Sequence, residues 1–372
     1  MGRLFRGLHL DRPEAAGGGG SRPGGDRRHL DLDRPRLCRD LGQGHLARHD
    51  ARHGHPRLEL EAPSQVVPPG SRQALTVPPE NTLGEVAASD PVRLPDLVTV
   101  FAKRAERLRA LAPGHELEGF LRLIATLIEA QHAALAGLPA GSLPAHGEGP
   151  PLDPTTCQRD GTWRVALARI LERLDAASLP EAARAAQAAL AEASTDRLEA
   201  LADRFLGGDV AAGEAAQAVF VAAALQVAWT RMAALLDAAQ LDPADSGQCP
   251  ACGSPPVAGV VAPGGTKFGH RHLHCSLCAT AWRYVRTRCA HCGSTDKISF
   301  RQLAGASYLR AECCEACHGY SKVFYLESAR AIEPLADDLG SLGLDVLVGE
   351  EGFSRVANPF VLGVMGESRG NN

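Results

Sequence analysis

Cys249-Pro-Ala-Cys252, Cys275-Ser-Leu-Cys278, Cys289-Ala-His-Cys292 and Cys314-Glu-Ala-Cys317 are four Cys-x-x-Cys pairs within residues 249–317. Twenty-two residues lie between the first pair and the second, twenty-one between the third and the fourth, and ten between the second and the third. The stretch reads as one unit used twice in tandem. Two cysteines three apart on a tight turn aim both sulfurs at one point. A second such turn, brought alongside by a hairpin, completes a tetrahedron of thiolates. Four soft sulfurs in that geometry suit zinc, or iron in a rubredoxin-like site, and the repeat implies two ions. One pair alone is weak evidence, because redox motifs and chance also produce it; four at this spacing are a strong metal signal.

Sequential pairing gives one site of Cys249, Cys252, Cys275 and Cys278 and another of Cys289, Cys292, Cys314 and Cys317. A crossed arrangement, first pair with third and second with fourth, is also geometrically open, but the sequential loops match ribbon spacing better. Cys313 breaks the spacing and reads as a spare thiol beside the second site. A closed tetrathiolate has no open position for substrate, which argues against metal hydrolysis. One-electron chemistry stays open if iron is bound.

Around the cysteine turns the apolar pattern is that of short strands, expected near 257–261, 271–274, 281–285, 297–303, 307–310 and 322–326. Gly253 and Gly293 directly follow the second cysteine of their pairs, where a positive φ lets the turn close. Lys267, Arg271, Arg283, Arg286, Arg288, Lys297 and Arg301 give this region a positive balance. Each divalent metal with four thiolates is itself a net anion, so charge compensation explains these cations as well as a nucleic-acid face does. Few aromatic residues interleave with them, and nucleic acid is the lesser reading.

Farther out, residues 95–243 change to a helical period. Leu97, Val100, Phe101, Leu108 and Leu111 share one face, with Asp96 as the expected cap. Further helices are expected from 116 to 135, around Trp163 to Leu174, after Pro180, from a Thr195 cap to Gly207-Gly208, and from Asp209 to about 240. The last is alanine-rich and apolar enough to invite a membrane reading, but its polar interruptions favour the centre of a bundle, and no membrane insertion is expected. Cys157, His115 and His132 stand singly and assemble no catalytic set. A final helix is expected from 334 to about 348.

Residues 1–94 are rich in Gly, Arg, Pro and His and show no sustained apolar period, so they read as a disordered extension that a misassigned start codon would also explain. His45, His49, His53 and His55 have metal-like spacing, which compositional bias accounts for. No apolar stretch follows Arg27-Arg28, against an export leader. Apolar residues make up 45% of the 372, and the net charge of −4 gives no global pull toward nucleic acid or anionic lipid. Eight of eleven cysteines sit in four short turns, which favours metal in a reducing compartment over disulfides.

The fold expected is therefore α+β: an N-terminal α-helical bundle (95–243), two rubredoxin-like or zinc-ribbon β modules in tandem (244–288 and 289–330), and a C-terminal helix with an extended tail (331–372). The cysteine turns, Trp282, Arg288, the run Ala336-Asp-Asp-Leu-Gly-Ser-Leu, and Glu351-Gly-Phe-Ser-Arg with Asn358-Pro-Phe resemble the formate dehydrogenase accessory proteins. The resemblance spans about 95–362. It implies a cytoplasmic, non-enzymatic assembly factor. Such a factor binds the immature catalytic subunit of respiratory formate dehydrogenase before twin-arginine export, and its metal ligands are the eight cysteines. An iron-dependent redox carrier and a nucleic-acid-binding ribbon are the alternatives, and a homodimer is compatible with each. Glu312, Glu315, Asp337 and Asp338 are candidate contacts for a basic partner segment.

Overall fold

A computed structural model of the chain describes residues 90–361, apart from 140, 146, 148, 244–245, 264–269, 304, 330 and 356. The four N-terminal histidines, Arg27-Arg28, Cys38 and Lys267 lie outside the described residues. The described architecture is α+β, as expected.

The bundle comprises α1 (Val100–Leu111), α2 (Glu118–Ala136), α3 (Thr162–Arg173), α4 (Glu181–Ala191), α5 (Thr195–Gly207) and α6 (Ala215–Ala233). α6 is its axis, touched by α2, α3, α4 and α5. Every residue from Ala218 to Ala233 is buried, because a helix that is small and apolar all round can take neighbours on every side. Among the described residues it is the one helix long and apolar enough to cross a membrane, and 67% of its apolar window is buried inside the protein. Gln131 and Gln226 are buried polar exceptions. Gln131 Nε2 donates to Ala223 O at 2.8 Å and to Gln226 Oε1 at 3.1 Å, and Gln226 Nε2 donates onward to Ser276 O at 2.7 Å.

Several boundaries differ from the sequence expectation. α1 starts after Thr99, because the Asp96 carboxylate accepts from Val98 N at 3.0 Å and from the Thr99 hydroxyl at 2.7 Å, and so closes a turn ahead of the helix. α5 is capped by Ser194, whose hydroxyl accepts from Arg197 N. The helix expected from Asp209 to about 240 is shorter. Single 3-10 turns at Ala212–Glu214 and Ala238–Gln240 flank α6, the second held by the Asp237 side chain.

The β strands form one sheet: β1 (Val92–Arg93), β2 (Pro256–Ala262), β3 (His270–Cys275), β4 (Ala281–Arg283), β5 (Ile298–Arg301), β6 (Leu309–Cys314), β7 (Gly319–Tyr325) and β8 (Ser354–Arg355). Their order is β1-β4-β3-β2-β7-β6-β5, with β8 on β7. Each ribbon is a three-stranded antiparallel meander, β2-β3-β4 and β5-β6-β7. The meanders fuse through a parallel seam in which Gly259, Val260 and Val261 pair with Val323, Phe324 and Tyr325. A Cβ at Gly259 would stand 3.3 Å from Val323 Cγ2 and 3.4 Å from Arg271 Cδ, so glycine permits the close packing there. Val92–Arg93, which the sequence reading left in the extension, pair with Trp282 and Ala281 of β4. Two residues are too few to carry a periodic signal.

The single C-terminal helix expected from the sequence is two, α7 (Pro334–Leu339) and α8 (Leu342–Glu350). Lys322 on β7 explains the break. Its buried Nζ donates to Asp338 O at 2.9 Å, Ser341 O at 3.1 Å and Ser341 Oγ at 3.0 Å, gathering the carbonyls at the end of α7. The same ammonium pairs with the Asp338 and Asp345 carboxylates, and so does Arg355 of β8. Tyr320 Oη donates to Asp345 at 2.5 Å, and Asn358 Nδ2 donates to Asp338. Two cations and two carboxylates therefore balance inside the core, and each is fixed by further hydrogen bonds. Asp337 meanwhile accepts a two-pronged contact from Arg107 of α1, with Nη2 to Oδ1 at 2.6 Å. His115 Nε2 donates to Gly340 O at 2.9 Å while its Nδ1 accepts from Leu117 N, which fixes its tautomer.

Candidate metal centre

The sulfurs of Cys249, Cys252, Cys275 and Cys278 lie within 4.8 Å of one another, and so do those of Cys289, Cys292, Cys314 and Cys317. The structure thus brings the cysteines together sequentially, each ribbon closing its own cluster. Sulfur pairs stand at 3.6 Å (Cys249–Cys278), 3.4 Å (Cys252–Cys275), 3.8 Å (Cys289–Cys317) and 3.7 Å (Cys292–Cys314). A tetrahedron with metal–sulfur bonds of about 2.3 Å has edges of about 3.8 Å, so both clusters have room for one ion.

Local backbone chemistry supports ionised sulfurs. Leu277 N and Cys278 N each donate to Cys275 Sγ at 3.3 Å, His291 N donates to Cys289 Sγ at 3.3 Å, and Gly319 N donates to Cys317 Sγ at 3.4 Å. The Thr280 hydroxyl lies 3.2 Å from Cys278 Sγ. Burial pushes the Cys249 and Cys275 thiols well up, so deprotonation there needs a compensating cation, which a divalent metal held by the four sulfurs would supply. The donor set fits zinc or iron equally well.

All four turns share one backbone device. The residue after the second cysteine is left-handed in each: Gly253 (φ 71°), Ala279 (φ 60°), Gly293 (φ 74°) and His318 (φ 53°). The glycines were legible in the sequence. Ala279 and His318 were not, since a side chain disfavours this region and only the closed turn enforces it.

The first cluster is locked to the bundle. Ala251 O in its first turn accepts from Leu152 N at 2.8 Å, and Ser276 O in its second turn accepts from Gln226 Nε2. Trp229 Nε1 of α6 donates to Leu152 O at 2.8 Å. The two ribbons are pinned by Arg271, a fully buried guanidinium on β3. Its Nη2 donates to Val285 O and Arg288 O, both at 2.8 Å, and its Nη1 pairs with Glu312 on β6. Its Cζ lies 5.2 Å from the Tyr284 ring centroid.

The acidic face suggested by the sequence is not formed. Glu312 is paired with Arg271, while Asp337 and Asp338 are buried in ion pairs; Glu315 alone of the four is exposed. Of the basic residues, Arg301 pairs with Glu351 at 2.6 Å and Arg286 lies over the Tyr325 ring, while Arg283 and Lys297 are exposed. Cys313 is fully buried on β6. Its Sγ points to Ala311 O rather than joining the cluster of its neighbour Cys314, since adjacent strand residues face opposite sides. Burial pushes its thiol up to about 11.

Residues 89–245 match the family model described as FdhE, N-terminal, residues 248–286 match FdhE, central domain, and residues 287–362 match FdhE, C-terminal domain. The chain is 39% identical over 288 residues to the Protein FdhE homolog of Pseudomonas aeruginosa, covering 72% of this chain and 91% of that one. It is 35% identical over 313 residues to Protein FdhE of Shigella boydii, covering 79% of this chain and all of the other. A crystal structure of the FdhE protein from Pseudomonas aeruginosa superposes with a TM-score of 0.64 at 36% identity, covering 72% of this chain and 98% of that one.

Proposed function

The chain belongs to the FdhE family, and from that premise we propose that it is a cytoplasmic accessory factor required for formate dehydrogenase activity. In this reading it binds the immature catalytic subunit before twin-arginine export. It catalyses no reaction itself. Its two metal ions, iron or zinc, are held by Cys249, Cys252, Cys275 and Cys278 and by Cys289, Cys292, Cys314 and Cys317. The observation that carries the reading is the closure of both clusters. Each gathers four sulfurs about one point, and a tetrahedral ion held by all four would have no coordination position for a substrate. Sites of that kind hold a surface together, and here the surface joins bundle, ribbons and C-terminal helices. We also propose that these parts are the working domains, 95–243, 244–288, 289–330 and 331–372. Deleting the gene is expected to abolish respiratory formate oxidation, and complementation with the intact chain is expected to restore it; unchanged oxidation in the deletion strain refutes the role.

A second reading, an iron-dependent electron carrier serving the same enzyme, is favoured by the exposure of Cys292. Anaerobically purified protein containing only zinc, without visible sulfur-to-iron charge-transfer absorption, excludes it.

A further inference from the structure

The two clusters share donors and spacing but differ in access. Cys249, Cys252, Cys275 and Cys278 are all buried, none more than 3% exposed. In the second cluster Cys314 and Cys289 are buried, Cys317 is half-buried and Cys292 is exposed. The surroundings give the reason. Leu152 and Gln226 cover the first cluster by bonding the carbonyls of Ala251 and Ser276, one in each turn. The corresponding turn residues of the second cluster, His291, Glu315 and Ala316, are exposed. No helix of the bundle bonds them among the described residues.

Replacing a ligand at a filled tetrahedron requires an incoming donor to reach the metal while one sulfur leaves. The walls of the first cluster block every such approach, and loss of its ion would strand four thiols in the core. At the second, the Cys292 side is open to solvent. We propose that the two centres have separate tasks. The first cluster is a permanent rivet between bundle and sheet. The second is an exchangeable centre that takes up and gives up its metal through Cys292, to donors of the thiol or imidazole class. In the exchange, a bond from an incoming donor would form as the bond to the Cys292 sulfur breaks, and the three remaining metal–sulfur bonds would be replaced in turn as further donors enter by the same side. Each freed thiolate takes a proton from the incoming thiol or from solvent, and no oxidation state changes.

This inference rests on metal occupancy in the preceding reading and adds a division of labour to it. The full chain is loaded with zinc, its stoichiometry is measured, and release is followed with the chromogenic chelator 4-(2-pyridylazo)resorcinol. The expected result is two equivalents, one released rapidly and the other retained until the protein is unfolded by denaturant. N-ethylmaleimide added after the fast phase is expected to modify Cys289, Cys292, Cys314 and Cys317 and to spare the first four ligands on peptide mapping. The Cys292→Ser variant is expected to remain folded and to hold only the slow equivalent. Release of both equivalents together, retention of both, or adducts on the first four cysteines overturns the inference and leaves the accessory role standing. A protein that binds no zinc and no iron overturns both.

Discussion

Replacing Arg271 with methionine tests how the two ribbons are held together. The guanidinium is fully buried, and the Glu312 carboxylate it faces is only 9% exposed. The variant keeps most of the side-chain volume but removes the positive partner and the donors to Val285 O and Arg288 O. Breaking one side of a buried ion pair costs about 3–5 kcal/mol, because the remaining charge is stranded. With an unfolding entropy of about 2.1 cal/mol/K per residue over the folded part of the chain, that is a fall in melting temperature of roughly 5–9 °C. Burial already raises the Glu312 carboxyl above its ordinary value, and without Arg271 it rises further. A carboxyl whose folded pKa is raised favours the folded state below the unfolded value and loses that contribution as pH rises. The penalty of Arg271→Met is therefore expected to be smaller at pH 5 than at pH 8. The double variant Arg271→Met with Glu312→Leu is expected to recover most of the loss, since no charge is left uncompensated. Thermal melts of the three proteins at both pH values decide the matter. A penalty below about 1 kcal/mol, or a double variant no more stable than the single, refutes the account of Arg271 as the pin.

The remaining predictions concern other joints. Lys322→Met is expected to cost about 3–5 kcal/mol and to speed amide exchange across 334–355, read by hydrogen–deuterium exchange; protection unchanged in α7 and α8 counts against it. Gln226→Ala is expected to cost about 1–3 kcal/mol in a denaturant titration, because Ser276 O and the Gln131 amide lose their buried partner. Ala279→Gly is expected to stabilise the metal-loaded protein by about 0.5–1 kcal/mol by relieving a left-handed alanine, and a destabilised variant would show that the turn carries no strain. Desolvation holds the His272 imidazole below its ordinary 6.5. Its contribution to stability is present above the unfolded value and lost as pH falls through it toward the lower folded value. His272→Asn is expected to flatten the loss of melting temperature between pH 7 and pH 5.

What the sequence made legible was local. Cysteines three residues apart fall in one turn, so four sulfur-bearing turns could be read directly, and ribbon spacing favoured the sequential grouping in which the structure places them. The apolar periods of α1, α2 and α3 announced the bundle in the same way, and the alanine-rich run of α6 announced its centre. Long-range joints left no such trace. Arg271 and Glu312 are single charged residues 41 apart, and nothing in either neighbourhood marks them as partners. Asp337 and Asp338 read as candidate contacts for a basic partner segment. Only the folded chain brings Arg107, Lys322 and Arg355 to them. The break between α7 and α8 has the same origin, since it depends on a lysine from a strand. The asymmetry of the clusters was hidden too, because Cys252 and Cys292 occupy identical places in their motifs and differ only in what folds over them.

The parallel seam between β2 and β7 has a consequence for how the chain leaves the ribosome. β2 is translated long before Val323, Phe324 and Tyr325 exist. Until they emerge, the first ribbon presents a bare strand edge to the cytosol, and bare edges invite pairing with other nascent chains. The sheet can be completed only when synthesis is nearly finished. Stop codons anywhere before residue 323 are thus expected to yield sticky fragments rather than a shorter working protein.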